Sequence, residues 1–158
     1  MYSTMNTYST MRIFCLCQVT CCSAINFSRL IELKLFIVSS VYWLEPLILL
    51  LHNAPKLKVL ILNSNGTDLP LSWSQSSSVP RCLLSQLEIF EWKEFGGRRE
   101  EKQLVSYILS NSNWLKTAGI SPRSSYNDEE KQKIMEDLES MYRVSASSQF
   151  LFTDIYCE

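Results

Sequence analysis

The chain has 158 residues, of which 46% are hydrophobic and 20% are charged, and its formal net charge at pH 7 is −1. This length and apolar content suit one globular domain with a substantial core, and they exclude disordered and collagen-like chains. The small net charge provides no long-range attraction to nucleic acid or to an acidic membrane surface, so we expect neither as a partner.

Residues 1–25 show no clean period, and they predict a poorly ordered leader or a degenerate strand. Their small and apolar residues resemble those of a signal peptide, but Gln18 and Thr20 interrupt the apolar run. The longest apolar run of the chain, Leu47 to Leu51, is far shorter than the roughly 20 residues of a membrane helix. We therefore expect no membrane insertion, and a location inside the cell, in the cytoplasm or nucleus.

Six cysteines raise the question of redox state; they are Cys15, Cys17, Cys21, Cys22, Cys82 and Cys157. Free cysteines are common as small apolar core residues, and this interpretation favours an intracellular protein. A soft-metal site in the first cluster is an alternative, although the cluster lacks paired Cys-x-x-Cys spacing and a nearby His. Disulfides are the other alternative.

A leucine pattern recurs along the chain and is its most informative feature. Its copies are Leu30-x-x-Leu33-x-Leu35, Leu57-x-x-Leu60-x-Leu62, Leu84-x-x-Leu87-x-Ile89 and, more weakly, Leu115-x-x-Ala118-x-Ile120. The first three copies are 27 residues apart, as is typical of leucine-rich repeats, in which each unit adds one strand to a parallel stack. Alternate side chains of a strand share a face, so the last two positions of each copy are expected to point inward.

The segments between these copies predict helices and loops. Apolar residues at spacings of three and four predict a helix that covers the sheet; they are Trp43, Leu44, Leu47, Ile48 and Leu51. Residues 63–80 are rich in Ser, Asn, Gly and Pro and predict an exposed loop. The fold class is therefore α/β, a short leucine-rich-repeat stack of parallel strands.

The last third of the chain predicts larger helices that close the open end of this stack. Gly96 and Gly97 allow a sharp turn, after which a helix begins with its charged residues, Arg98 to Lys102, in solvent. A second helix is expected from about Asp128 to Tyr142, with Asn127 or Asp128 as its cap. Residues 147–154 predict a final strand.

Several motifs of this region resemble the FBD domain, which is found at the C-terminus of plant F-box/leucine-rich-repeat proteins. They include Pro80-x-Cys82-Leu83-Leu84-Ser85, Leu87-Glu88-x-Phe90-x-Trp92 and Gly97-Arg98-x-Glu100-Glu101. The resemblance extends from Asn26 to about Phe152, and it implies a leucine-rich-repeat segment at 26–79 and an FBD domain, the helical C-terminal cap, at 80–153.

The resemblance also implies a function. Members of this family are substrate receptors whose F-box docks onto the adaptor of a cullin ubiquitin ligase. The leader before Asn26 is too short for an F-box, so we expect the recognition end of such a receptor without direct binding to the adaptor. The alternative is a truncated or vestigial member with no independent function.

Catalysis finds little support in the residues themselves. The single histidine, His52, has no nearby Ser-Asp or Cys context, and the acidic residues between Glu88 and Glu101 suit a strand and a solvated helix face. We expect no enzyme, no cofactor and no resident metal.

We expect instead a protein that binds an unidentified protein target. The candidate contacts are exposed strand residues and one tryptophan of the long loop: Glu32, Lys34, Lys58, Trp73, Glu88 and Glu91.

Overall fold

The fold is an α/β stack built on one parallel sheet, as the sequence predicts. The structure, a computed structural model, describes residues 9–13, 27–37, 44–64, 78–146 and 148–152. Within these ranges, six strands form the sheet in chain order, and each pairs in parallel with the next. They are β1 (Thr10–Ile13), β2 (Glu32–Phe36), β3 (Val59–Asn63), β4 (Ile89–Phe95), β5 (Thr117–Pro122) and β6 (Gln149–Phe152).

Four helices in the described part of the chain connect the later strands. They are α1 (Leu44–His52), α2 (Arg81–Ser85), α3 (Arg99–Asn111) and α4 (Asp128–Glu139). Their buried side chains join the inward side chains of the sheet in one core. The other face of the sheet therefore keeps its side chains outside this core. Trp43 and most of the predicted loop, residues 65–77, lie outside the described residues.

Two rows of inward side chains run across the sheet. One row is Met11, Leu33, Leu60, Phe90, Ala118 and Phe150, and the other, from β2 onward, is Leu35, Leu62, Trp92, Ile120 and Phe152. In β2 to β5 every member of both rows is at most 1% exposed. A single strand could not bury such a pair, so each strand depends on its neighbours for its stability.

The register of the third repeat differs from the prediction. Leu60 pairs with Phe90 rather than with Leu87, and Phe90 in turn pairs with Ala118. The third copy of the pattern is thus Leu87-x-x-Phe90-x-Trp92, and Leu84 lies in α2, where it is 40% exposed. Since aromatic residues replace leucine at both inward positions, the leucine pattern alone matches the sequence three residues too early.

A β-bulge at the end of β4 turns an additional aromatic residue into the core. The pairing with β5 shifts between Trp92 and Phe95, and Glu94 has a φ of 59°. The extra residue allows Trp92 and Phe95 to be fully buried although they are three positions apart, and their rings meet edge to face at 5.1 Å.

The glycine pair after β4 makes the predicted turn. Gly97 has a φ of +71°, and a Cβ there would lie 2.8 Å from Ile134 Cγ1 of α4. Glycine is therefore needed both for the backbone conformation and for the close approach of α4.

The predicted second helix is present as α4, which begins at Asp128. The side chain of Asn127 accepts a hydrogen bond from the Glu130 amide at 2.8 Å, and the Glu130 side chain accepts one from the Asn127 amide at 3.0 Å. This reciprocal capping defines the start of the helix. Ile134 and Leu138 of this helix are buried, and Met141, just after it, is partly buried against the core.

Replacement of Phe90 by Ala tests the corrected register. The change should lower the free energy of unfolding by about 3–5 kcal/mol, because it removes a buried aromatic ring. Replacement of the adjacent Ile89, which is half-buried on the other face, should cost about 1 kcal/mol or less. Urea unfolding followed by tryptophan fluorescence measures both, and a larger loss for Ile89→Ala would contradict this register.

Candidate protein-binding surface

The sheet face opposite the helices, here called the open face, presents a second set of aligned side chains. Its first row is Thr10, Glu32, Val59, Ile89, Thr117 and Gln149, and its second row is Arg12, Lys34, Ile61, Glu91, Gly119 and Leu151. A short third row is Phe36, Asn63 and Lys93. All of these side chains are half-buried or exposed, so the face is available for contact.

The centre of the open face is aliphatic. Val59 and Ile61 of β3 and Ile89 of β4 are half-buried there, and Phe36 lies in the third row. Leu151 of β6 is 48% exposed near one end of the second row. An apolar centre with a polar rim is the common composition of protein interfaces.

Charged residues flank this aliphatic centre. Arg12 and Lys34 are neighbours in the second row on β1 and β2, and Lys34 Nζ lies 3.6 Å from Glu32 Oε1. Glu91 lies on the other side of Ile61, on β4. The row therefore changes from positive to negative across its aliphatic middle.

The predicted contact residues fall into three groups by location. Glu32, Lys34 and Glu91 lie on the open face. Lys58 and Glu88 lie just before β3 and β4, at the amino edge of the sheet, where the Glu88 amide donates a hydrogen bond to the Lys58 carbonyl at 2.9 Å. Trp73 lies outside the described residues.

The aliphatic members of the open face are absent from the predicted contacts, which comprise charged strand residues and one tryptophan. Alternation along "KLKVLIL" was the signal that could have found them. Since Leu60 and Leu62 point inward, Val59 and Ile61 must point to the opposite face.

A buried carboxylate lies outside this surface. Glu101 was expected in solvent, but it is 1% exposed, so this prediction was wrong. One of its oxygens accepts a hydrogen bond from the Arg98 amide at 2.9 Å, which caps the start of α3. Burial raises the pKa of the Glu101 carboxyl group, although the Arg98 amide and the nearby Arg123 oppose this rise.

The place of Glu101 in the fold accounts for its burial. A Cβ on Gly96 would lie 2.9 Å from Glu101 Oε2 and 3.0 Å from a guanidinium nitrogen of Arg123. The Tyr126 hydroxyl group donates a hydrogen bond to the Gly96 carbonyl at 3.0 Å. Glu101 thus holds the turn between β4 and α3 against the segment after β5, which is a structural role.

Cys82 is a core thiol, as the composition indicated. It is fully buried in α2, and its Sγ lies 3.3 Å from the carbonyl oxygen of Leu51 at the end of α1. Burial raises the pKa of the thiol from 9.0 to about 12. Because the thiolate is the reactive form, Cys82 is unsuited to nucleophilic chemistry at neutral pH.

The described residues contain neither a metal-binding cluster nor a membrane-spanning helix. None of these residues form a group of three or more His, Cys, Asp or Glu side chains that could hold a metal ion. No helix within the same ranges is long and apolar enough to cross a membrane. His52 is exposed at the end of α1. The remaining five cysteines lie outside the described residues.

These observations define a stacked α/β repeat protein with an exposed sheet face. The family model of the FBD domain matches residues 75–120, which extend from before α2 to β5. The chain therefore contains an FBD domain over these residues.

Curated relatives from Arabidopsis thaliana agree with this assignment over most of the chain. The chain is 49% identical to an F-box/FBD/LRR-repeat protein, At1g22000, over 142 residues, which are 89% of the chain and 30% of the relative. It is 45% identical to an FBD-associated F-box protein, At1g05080, over 83% of the chain and 32% of the relative. It is 38% identical to the F-box/FBD/LRR-repeat protein At4g26340, over 87% of the chain and 34% of the relative.

The chain thus spans about a third of the length of these relatives. No solved structure matches it significantly.

Replacement of Glu101 by Gln tests the buried carboxylate. The pKa of Glu101 is higher in the folded state than in the unfolded state, where it is near 4.5. Protonated Glu101 therefore contributes fully to stability below the unfolded-state pKa, and this contribution is lost as pH rises through the folded-state pKa. The unfolding free energy of the wild type should therefore fall relative to that of Glu101→Gln as pH rises from about 4.5. Urea titrations across this range measure the difference, with exposed Glu139→Gln as the control for loss of one negative charge. A wild type that gains stability over Glu101→Gln with rising pH would contradict the prediction.

Replacement of Cys82 by Ala tests the inert thiol. Under native conditions the wild type and Cys82→Ala should show the same number of thiols that react rapidly with a disulfide reagent such as DTNB, because Cys82 is buried and protonated. After denaturation the wild type should show one more. An additional rapidly reacting thiol in the native wild type would show that Cys82 is accessible.

Proposed function

We propose that the chain is a non-catalytic protein-interaction module that uses its open face to bind another protein. The observation that carries the proposal is the composition of that face, where aliphatic side chains of neighbouring strands form a centre and charged side chains of both signs surround it. Aliphatic contacts supply affinity, and charged groups around them select the partner.

The charges of the face favour a protein over a nucleic acid as partner. Glu32 and Glu91 lie on the same surface as Arg12 and Lys34. Binding to phosphates requires a surface dominated by cations, and here carboxylates interrupt the cations.

Non-catalytic action is supported by the places of the perturbed titratable groups. Glu101, Cys82 and Tyr107 all have raised pKa values, chiefly because they are buried in the core. Perturbed groups mark a catalytic site when they converge on a cleft. Glu101 caps α3 and Cys82 contacts the backbone of α1, so each has a structural explanation.

The relatives suggest the setting of this interaction. Their names combine F-box, FBD and leucine-rich repeats. The resemblance of the chain to this family of ubiquitin-ligase receptors implies a division of the receptor into a docking F-box and a recognition region. We place this chain in the recognition region, where the open face would hold the protein that is to be modified.

Replacement of Ile61 by Glu tests the proposal, because it places a carboxylate in the aliphatic centre. We expect that proteins cross-linked to the tagged wild type in an Arabidopsis extract are lost from Ile61→Glu by about tenfold or more, as for a central interface residue. Quantitative mass spectrometry of the cross-linked proteins measures the loss.

The matched control is Leu49→Glu. Leu49 is an aliphatic residue of α1 that is 39% exposed outside the open face, so this change adds the same charge elsewhere and should retain the captured proteins. Circular dichroism and urea midpoints establish that both variants are folded. Equal capture by the wild type and by both variants would show that the open face is not the binding site.

A further inference from the structure

The order of charges in the second row of the open face indicates which kind of partner would be complementary to it. From β1 to β4 the row is Arg12, Lys34, Ile61 and Glu91. Neighbouring strands are about 4.8 Å apart, so the row presents two cations, an aliphatic side chain and a carboxylate at regular intervals across about 14 Å.

The two cations are adjacent at one end of this row. Like charges on paired strands disfavour one another. Among the described residues, the carboxylate that pairs with Lys34 is that of Glu32, at 3.6 Å, and both side chains are about 30% exposed. An ion pair of this exposure is weak. An acidic group on a partner would therefore relieve a repulsion that the fold leaves partly uncompensated.

The carboxylate at the other end lies beside a gap. Gly119 follows Glu91 in the row, and a Cβ on Gly119 would lie 3.3 Å from Glu91 Cγ. The Glu91 side chain therefore extends over β5, where a larger residue would displace it. Among the described residues no ion pair joins Glu91 to Lys93, the next outward residue of β4.

We propose that the open face binds an extended segment of its partner that crosses the strands with the pattern acidic-x-aliphatic-x-basic. This inference rests on the proposed function and specifies the chemistry of the partner. The acidic residue lies between Arg12 and Lys34, the aliphatic residue on Ile61, and the basic residue at Glu91.

The spacing of an extended chain fits this row. Alternate side chains of such a chain point to the same side at intervals of about 6.7 Å. With the acidic side chain midway between Arg12 and Lys34, the next two facing side chains fall within about 1–2 Å of Ile61 and Glu91 along the row, since the strands are about 4.8 Å apart.

A second copy of the chain is a weaker candidate for the same face. A two-fold axis through Ile61 would pair Lys34 with Glu91 of the other copy, so the charges alone permit it. Interfaces between identical subunits are, however, more apolar and contain few central charges. Charges directly beside the aliphatic centre favour a separate, transient partner.

Three synthetic peptides test the charge order. They are identical nine-residue peptides with blocked ends, except for a central Asp-x-Leu-x-Lys, Asp-x-Leu-x-Asp or Lys-x-Leu-x-Lys, where x is Thr. Each peptide is titrated into the full ¹⁵N-labelled chain, where binding should shift the amide signals of Lys34, Ile61 and Glu91. The first peptide should bind about two- to fivefold more tightly than the others, as expected for one exposed ion pair. Non-specific attraction to a chain of net charge −1 would instead favour the third peptide.

A charge reversal on the chain gives a second, positive test. Glu91→Lys makes both ends of the row basic, and it should transfer the preference to Asp-x-Leu-x-Asp by a similar factor. The control is Glu139→Lys, which makes the same change of net charge at the exposed end of α4 and should leave the preference unchanged.

Three results would overturn the inference. They are equal binding of all three peptides or none at the open face, an unchanged preference in Glu91→Lys, and a dimer in sedimentation equilibrium that Ile61→Glu dissociates. If the peptides show no preference while Ile61→Glu still loses its cross-linked proteins, only the charge pattern is wrong. If Ile61→Glu also retains those proteins, the proposed function is wrong as well.

Discussion

Burial of the two inward rows is the constraint on which the rest of the structure depends. Each strand contributes only two or three inward side chains. These are excluded from water because the strands on both sides contribute inward side chains at the paired positions. Leu33, Leu60, Phe90 and Ala118 are each fully buried in this way. Because side chains alternate along a strand, this alignment also determines which residues reach the open face and in what order.

The side chains in each inward row stay in register across the strands although they differ greatly in size. Phe90 lies beside Ala118, and Trp92 lies between Leu62 and Ile120. Large and small neighbours can fill a close-packed core together. The indole nitrogen of Trp92 donates a hydrogen bond to the Ser64 hydroxyl group at 2.7 Å, so the polar atom of the largest core residue is satisfied without contact with water.

The FBD part of the chain departs from a uniform repeat at the end of β4. The bulge, the turn at Gly97 and the buried Glu101 together connect β4 to α3, and Lys102 of α3 pairs with Asp137 of α4 at 2.6 Å. These contacts connect α3 to the sheet and α4 to α3.

The sequence by itself determined the number and type of the main elements, since apolar periodicity in "RLIELKL", "KLKVLIL" and the region of α3 follows directly from the geometry of strands and helices. It also predicted that Glu32, Lys34 and Glu91 are strand residues outside the core, and the motifs around Pro80 to Glu101 identified the FBD domain. It did not determine the register of β4, because two sets of residues fit the repeat pattern equally well. One set is Leu84, Leu87 and Ile89, and the other, which the structure uses, is Leu87, Phe90 and Trp92.

Only the tertiary structure decided that register, because the choice depends on which side chains fill the space beside Leu60 and Ala118 rather than on any local preference. The same holds for Glu101, whose burial depends on Gly96 and Arg123, one of them distant in the chain. The order of charges along the open face was likewise decided by strand pairing, since Arg12, Lys34, Ile61 and Glu91 come from four separate segments that meet only when the inward rows are buried together.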